Sequence, residues 1–71
     1  MIRVHVLDGQ GYTLALFECT ERARCDRVRR QLFGRDAYAI VNDDDRGRRW
    51  RATMDGLQLR FEDLTRQEAL F

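Results

Sequence analysis

The sequence contains no lysine, no serine and no proline, and it has one histidine and two cysteines. The lack of serine excludes a serine nucleophile, and His5 has no acidic neighbour in sequence that could orient it. The spacing of Cys19 and Cys25 fits neither a CxxC redox pair nor a four-ligand zinc site. We therefore expect no catalytic residue, no metal and no cofactor, and we expect two small buried thiols, with a lone disulfide as the alternative.

Long apolar runs are also missing, since none approaches the roughly 20 residues that a membrane-spanning helix needs. The opening residues, Met1 to His5, lack the anatomy of a signal peptide, so we expect a cytoplasmic protein with no membrane partner. Apolar residues make up 44% and charged residues 35% of the chain, which favours a globular protein over a disordered one. Its 71 residues predict a single small domain over 1–71.

The charges nearly cancel, because 13 basic residues stand against 12 acidic ones for a net charge of +1. All the basic residues are Arg, for which the codon preference of a GC-rich genome is the simpler explanation and a functional need for guanidinium groups is the alternative. A balance this close gives the whole molecule no long-range attraction to nucleic acid or to a membrane. Any electrostatic function must come from charges that are segregated locally.

Hydrophobic periodicity predicts five strands and one helix. Residues 2–7 alternate with Ile2, Val4 and Val6 on one side, and Val28 and Leu32 lie on one stripe of a helix together with Cys25. Thr20 is a suitable N-cap for this helix, and Gly34 is a suitable stop. The predicted strands are 2–7, 12–18, 37–42, 48–54 and 57–62, and the predicted helix is 21–33. The order β-β-α-β-β-β defines an α+β fold with one helix packed on an antiparallel sheet.

The last two strands are joined by Asp55-Gly56, which predicts a two-residue type I′ hairpin turn. This turn would set Trp50 opposite Phe61 and would place Arg51 opposite Arg60 on the outward side. Like charges directly across a ladder are unfavourable, so an anion or a partner carboxylate over them would relieve the repulsion. Water and a diagonal Glu62 could relieve it too. The hairpin arginines, which we define as Arg49, Arg51 and Arg60, are therefore candidate binding residues.

An acidic turn, which we define as Asp43, Asp44 and Asp45, follows the third strand. It has too few alternating oxygen ligands for a calcium-binding loop. Such a cluster can compete with nucleic acid for a basic groove on another protein, or it can simply keep a turn soluble.

The helix arginines, which we define as Arg24, Arg27 and Arg30, form a second candidate site. Guanidinium groups on one helix face could grip phosphates through charge and paired hydrogen bonds. They could equally form a solvated face whose stems cover apolar edges. Aromatic residues that could stack on bases are not interleaved with them.

The arrangement of turns resembles that of several small phage anti-CRISPR proteins, over roughly residues 2–62. The resemblance lies in size, in element order and in three features: the turn Asp43-Asp44-Asp45-Arg46-Gly47, the turn Asp55-Gly56, and Trp50 in the middle strand of the last unit. It implies a non-enzymatic protein that binds an RNA-guided surveillance complex and blocks its access to DNA. No functional residue carries over, because no motif aligns.

Two functions from different classes follow as hypotheses. In the first, the protein inhibits a larger protein or ribonucleoprotein, such as a CRISPR surveillance complex. Its acidic turn then meets basic residues of the partner, and its hairpin arginines meet acidic ones. In the second, the helix arginines or the last hairpin bind nucleic acid directly. A homodimer formed through an open sheet edge or through the tail Leu70-Phe71 is a further alternative.

Overall fold

The computed structural model describes residues 1–65. Its elements follow the order β-β-α-β-β-β, which confirms the predicted α+β fold with one helix on an antiparallel sheet. The elements are β1 (Ile2–Asp8), β2 (Thr13–Cys19), α1 (Arg24–Leu32), β3 (Ala37–Asp43), β4 (Arg48–Asp55) and β5 (Gln58–Asp63). The tail Leu70-Phe71 lies outside the described residues.

The five strands form one sheet in the order β2-β1-β3-β4-β5, and each neighbouring pair is antiparallel. Helix α1 connects β2 to β3 and packs on one side of the sheet, against β1, β3 and β4. The sheet therefore has a helix face, which α1 covers, and an open face on its other side. Strands β2 and β5 are its two edges.

The core lies between α1 and the helix face, as the alternation in β1 predicts. Ile2, Val4 and Val6 are each no more than 2% exposed, and Val28 and Leu32 of α1 are fully buried against the sheet. Directly opposite residues of paired strands point to the same face, so the register extends this apolar surface across the sheet. The other buried apolar residues are Cys19, Ala39, Val41 and Ala52.

The helix begins at Arg24, three residues later than predicted. Thr20 does act as a cap, but its hydroxyl accepts a hydrogen bond from the Ala23 amide, 3.2 Å away, in the turn that precedes α1. A hydrogen bond from the Ala23 amide to the Thr20 carbonyl (3.1 Å) closes the same turn. At the other end, Gly34 has φ of +72°, as expected for the residue that stops a helix.

The predicted register of the last hairpin is wrong by two residues. Asp55 pairs with Gln58, so the two loop residues are Gly56 and Leu57. Only Gly56 has a positive φ, of 63°, which is the pattern of a type II′ turn. The predicted type I′ turn at Asp55-Gly56 would put Asp55 as well as Gly56 in the left-handed region. The type II′ turn avoids that cost at Asp55.

This shift separates the two arginines that were expected to face each other. Arg51 lies opposite Glu62, and Arg60 lies opposite Thr53. Arg49 is level with Leu64, whose amide donates a 2.9 Å hydrogen bond to the Arg49 carbonyl. The like-charge pair that motivated a binding site at this hairpin is therefore absent, and an opposite-charge pair takes its place.

Candidate functional site

The acidic turn is only partly available for binding. Asp43 is 5% exposed, and its carboxylate accepts a hydrogen bond from the Arg46 amide at 3.3 Å. It continues the buried alternation of Ala39 and Val41 on the helix face, which is why it points inward. Asp43 is thus poorly placed to contact a partner, because its side chain stabilises the turn from inside.

Asp44 and Asp45 remain exposed, and both are in ion pairs. Asp44 lies 2.6 Å from the Arg3 guanidinium, and Asp45 lies 2.9 Å from the Met1 amine. The Asp45 carboxylate raises the pKa of that amine through a hydrogen bond and through its charge, and the amine lowers the pKa of Asp45 in return. Exposed pairs of this kind are weak, so a partner's cation could replace either one at little cost.

The hairpin arginines do not converge on one site. Arg60 sits near the β4–β5 turn and forms a 2.8 Å ion pair with Asp55. Arg49 sits at the opposite end of β4, and its amide donates to the Thr65 hydroxyl at 3.0 Å. Arg51 lies between them, and its guanidinium carbon is 4.5 Å from the centre of the Tyr38 ring. The arginines line one side of the open face rather than forming a pocket.

Two of the helix arginines are engaged with aromatic rings. The Arg24 guanidinium carbon lies 4.9 Å from the Trp50 ring centre and 5.2 Å from that of Phe61. The Arg27 guanidinium carbon lies 4.6 Å from the Phe17 ring centre. Arg30 is exposed near the end of α1. The helix therefore presents fewer free cations to phosphates than its sequence suggests.

The open face carries an apolar patch that the sequence analysis missed. Leu16 is 70% exposed and shares this face with the half-buried Leu7 and Ile40, and His5 lies between Leu16 and Ile40 in the register. The sequence of β2 contains a signal for this patch, because apolar residues occupy both the odd and the even positions of that strand and so point to both faces of the sheet. Among residues 1–65, no element covers this face. Its residues on the five strands are Arg3, His5, Leu7, Thr13, Leu16, Glu18, Tyr38, Ile40, Asn42, Arg49, Arg51, Thr53, Asp55, Gln58, Arg60 and Glu62.

His5 is also on the open face, where its Nε2 is 2.7 Å from the Thr13 hydroxyl. Cys19 lies on the helix face, so the sheet separates it from the imidazole. The described part of the chain thus brings no Cys–His pair together. Within residues 1–65, no three His, Cys, Asp or Glu side chains are grouped so that they could hold a metal ion.

The two cysteines are both free, but only one is buried. The prediction of two buried thiols is therefore wrong for Cys25, which is exposed on α1. Cys25 and Arg24 flank the buried Val28 on opposite sides, and α1 is rotated so that Arg24 rather than Cys25 covers the sheet. Burial raises the pKa of the Cys19 thiol, and the charges of Arg27 and Arg24 offset part of that rise.

This difference predicts selective alkylation of the native protein. Because thiolates are the reactive species and Cys19 is 4% exposed, we expect iodoacetamide to modify Cys25 and to spare Cys19. Mass spectrometry should find one modification on the folded chain and two after denaturation. A Cys25→Ala variant is the matched control and should stay unmodified until it unfolds. Equal rates at the two thiols would contradict the orientation of α1.

None of the helices in residues 1–65 has the length and apolar character needed to cross a membrane. Comparison of the chain with protein-family models, with curated proteins and with solved structures gives no significant match in any of the three.

Proposed function

We propose that this protein is a non-catalytic inhibitor that binds a larger protein or ribonucleoprotein through the open face of its sheet. The observation that supports this is the apolar patch on that face, where Leu16 is 70% exposed on the same side of the sheet as Leu7 and Ile40. Solvent-exposed apolar clusters with polar margins commonly mark protein interaction sites. Arg51 and Glu62, which lie opposite each other on β4 and β5, supply such a polar margin.

An RNA-guided surveillance complex is the partner that we propose to test first, on the basis of the resemblance to small phage anti-CRISPR proteins. Such a complex carries a basic groove for nucleic acid. Asp44 and Asp45 fit that chemistry, since their side chains are 59% and 76% exposed and hold only exposed ion pairs. The protein would then occupy the groove and exclude DNA from it.

Direct binding of nucleic acid has less support. Arg24 and Arg27 stack on aromatic rings, and Arg60 is paired with Asp55. The net charge of +1 adds no general attraction to phosphates. Affinity for nucleic acid depends on the number of phosphates that cations neutralise, and these three arginines would first have to leave their rings or carboxylate.

The experiment measures binding of the purified protein to purified surveillance complexes of several types. We expect the wild-type chain to bind one of them and to displace its target DNA. An Arg51→Ala variant should bind about tenfold more weakly, because Arg51 is exposed on the proposed contact face and arginines are frequent hot spots. The matched control is Arg30→Ala, which removes an exposed arginine from α1 and should bind as the wild type does.

Two results would contradict this proposal. If no complex type binds, the surveillance complex is not the partner. If duplex or single-stranded DNA alone binds in a gel shift, with an affinity that falls steeply as salt is added, the nucleic-acid alternative replaces it. An Asp44→Ala, Asp45→Ala double variant tests the contribution of the acidic turn without disturbing the buried Asp43.

A further inference from the structure

The two edge strands of the sheet differ in how they are protected. Strand β5 has three charged residues among its six, whereas β2 has one, Glu18, among its seven. The exposed apolar residues Leu14 and Leu16 lie on β2, and Tyr12, which is 69% exposed, directly precedes it. Charged residues are the usual means of blocking pairing at a sheet edge. Strand β2 is therefore the edge that is left open to another strand.

The hydrogen bonds at the end of β1 show which backbone groups of β2 face outward. The Asp8 amide donates to the Tyr12 carbonyl at 2.9 Å, toward β2, and the Gly9 amide donates to the Asp36 carbonyl at 3.1 Å, toward β3. Backbone groups alternate in direction along a strand, so the even-numbered residues of β1 bond to β2. Their partners in the register are Ala15, Phe17 and Cys19.

The amides and carbonyls of Leu16 and Glu18 therefore point to the free edge. The 3.4 Å hydrogen bond that the Arg27 side chain donates to the Glu18 carbonyl agrees with this direction. The register shift between Val6 and Leu7 makes Leu14 the extra residue of a bulge, so the regular part of the edge runs from Ala15 to Cys19 and includes Leu16.

We propose that a second copy of this chain pairs with β2 along this edge, antiparallel, with the two-fold axis at Leu16. Each Leu16 then exchanges both backbone hydrogen bonds with the Leu16 of the other copy. The two five-stranded sheets join into one, and both helices lie on the same side of it, because directly opposite residues share a face. The pairing sets the two Leu16 side chains against each other on the open face, so that each loses part of its exposed surface.

Charge favours this register over its neighbours. With the axis at Leu16, the Glu18 residues of the two copies are four positions apart, which is about 13 Å along the strands. That separation exceeds the screening length of about 8 Å at physiological salt. An axis at Phe17 would halve the distance between the two Glu18 residues and would also bring the two Arg27 side chains together. The net charge of +1 leaves little repulsion between whole copies, and the charged β5 edge stops growth at two.

The test uses the isolated full chain, so it is independent of any partner proposed above. We expect sedimentation over micromolar to millimolar concentrations to show a shift from 8.5 kDa to twice that mass. A Leu16→Lys variant places two cations at the axis and should raise the dissociation constant at least about tenfold, since burying one leucine is worth that factor or more. The matched control is Leu57→Lys, which changes a leucine of similar exposure (76%) in the β4–β5 turn and should dimerise as the wild type does.

Amide hydrogen exchange on the wild-type chain identifies the interface without a mutation. In the proposed dimer the Leu16 amide is protected, whereas in a monomer it exchanges rapidly while the Phe17 amide stays protected. A chain that remains monomeric at millimolar concentration overturns the proposal. A dimer whose Leu16 amide exchanges rapidly also overturns it, because its interface would lie elsewhere. Either result leaves the binding experiment with surveillance complexes unaffected.

Discussion

Replacing Leu32 by alanine should lower the free energy of unfolding by about 3 kcal/mol, the usual cost of emptying a fully buried leucine site. Leu32 has no exposed surface and packs with Val28 against the strands. A chain of 71 residues has a total stability of only about 4 to 10 kcal/mol. The melting temperature should therefore fall by about 12 to 24 °C, measured by circular dichroism.

The neighbouring residue provides the control for this experiment. Phe33 is larger than Leu32 but 56% exposed, so Phe33→Ala should change the unfolding free energy by less than about 1 kcal/mol. If the two variants were equally destabilised, the helix would have to be rotated from its described orientation. If Leu32→Ala had no effect, α1 would not form the core that holds the sheet.

Element order and the choice of buried face could be read from the sequence because both depend on local periodicity. Ile2, Val4 and Val6 alternate with polar residues, and a strand sends alternate side chains to opposite faces whatever it pairs with. The same rule applies to Asp43, which follows Ala39 and Val41 at the same two-residue spacing. Its burial was predictable from this pattern, although its charge suggested a surface residue.

The register of the last hairpin could not be read in this way. A shift of two residues keeps every side chain on its face, so the apolar pattern is equally satisfied by both pairings. The choice depends on the turn, where one left-handed Gly56 costs less than a left-handed Asp55 and Gly56 together. It also depends on charge, since the observed pairing sets Arg51 against Glu62 rather than against Arg60.

The rotation of α1 is a second feature that required the tertiary structure. Cys25 and Arg24 lie at similar angles on either side of Val28, and hydrophobicity alone favours burying the thiol. The structure instead lays Arg24 on Trp50 and Phe61. These rings come from β4 and β5, so no local pattern in the helix could reveal them. The same contact decides whether Arg24 is a binding residue or a structural one.

An Arg24→Ala variant should lose about 1 to 2 kcal/mol of stability, because it removes a cation from two rings and an apolar stem from the edge of the core. The guanidinium carbon is about equally close to both rings, at 4.9 and 5.2 Å. Its Nε is buried, and among the described residues it makes no hydrogen bond, so ring contacts are what hold this group in place. Thermal melts should show a decrease of about 4 to 16 °C.

Two matched variants separate this structural role from phosphate binding. Arg24→Met keeps an apolar side chain over Trp50 and should recover part of the lost stability. Arg30→Ala removes an exposed arginine from the same helix and should stay within about 0.5 kcal/mol of the wild type. If Arg24 served nucleic acid instead, Arg24→Ala would melt like the wild type while its affinity for DNA fell at low salt. The ring contacts instead predict that Arg24→Ala lowers the melting temperature and leaves the affinity for DNA unchanged. These variants therefore decide between a structural and a nucleic-acid-binding role for Arg24.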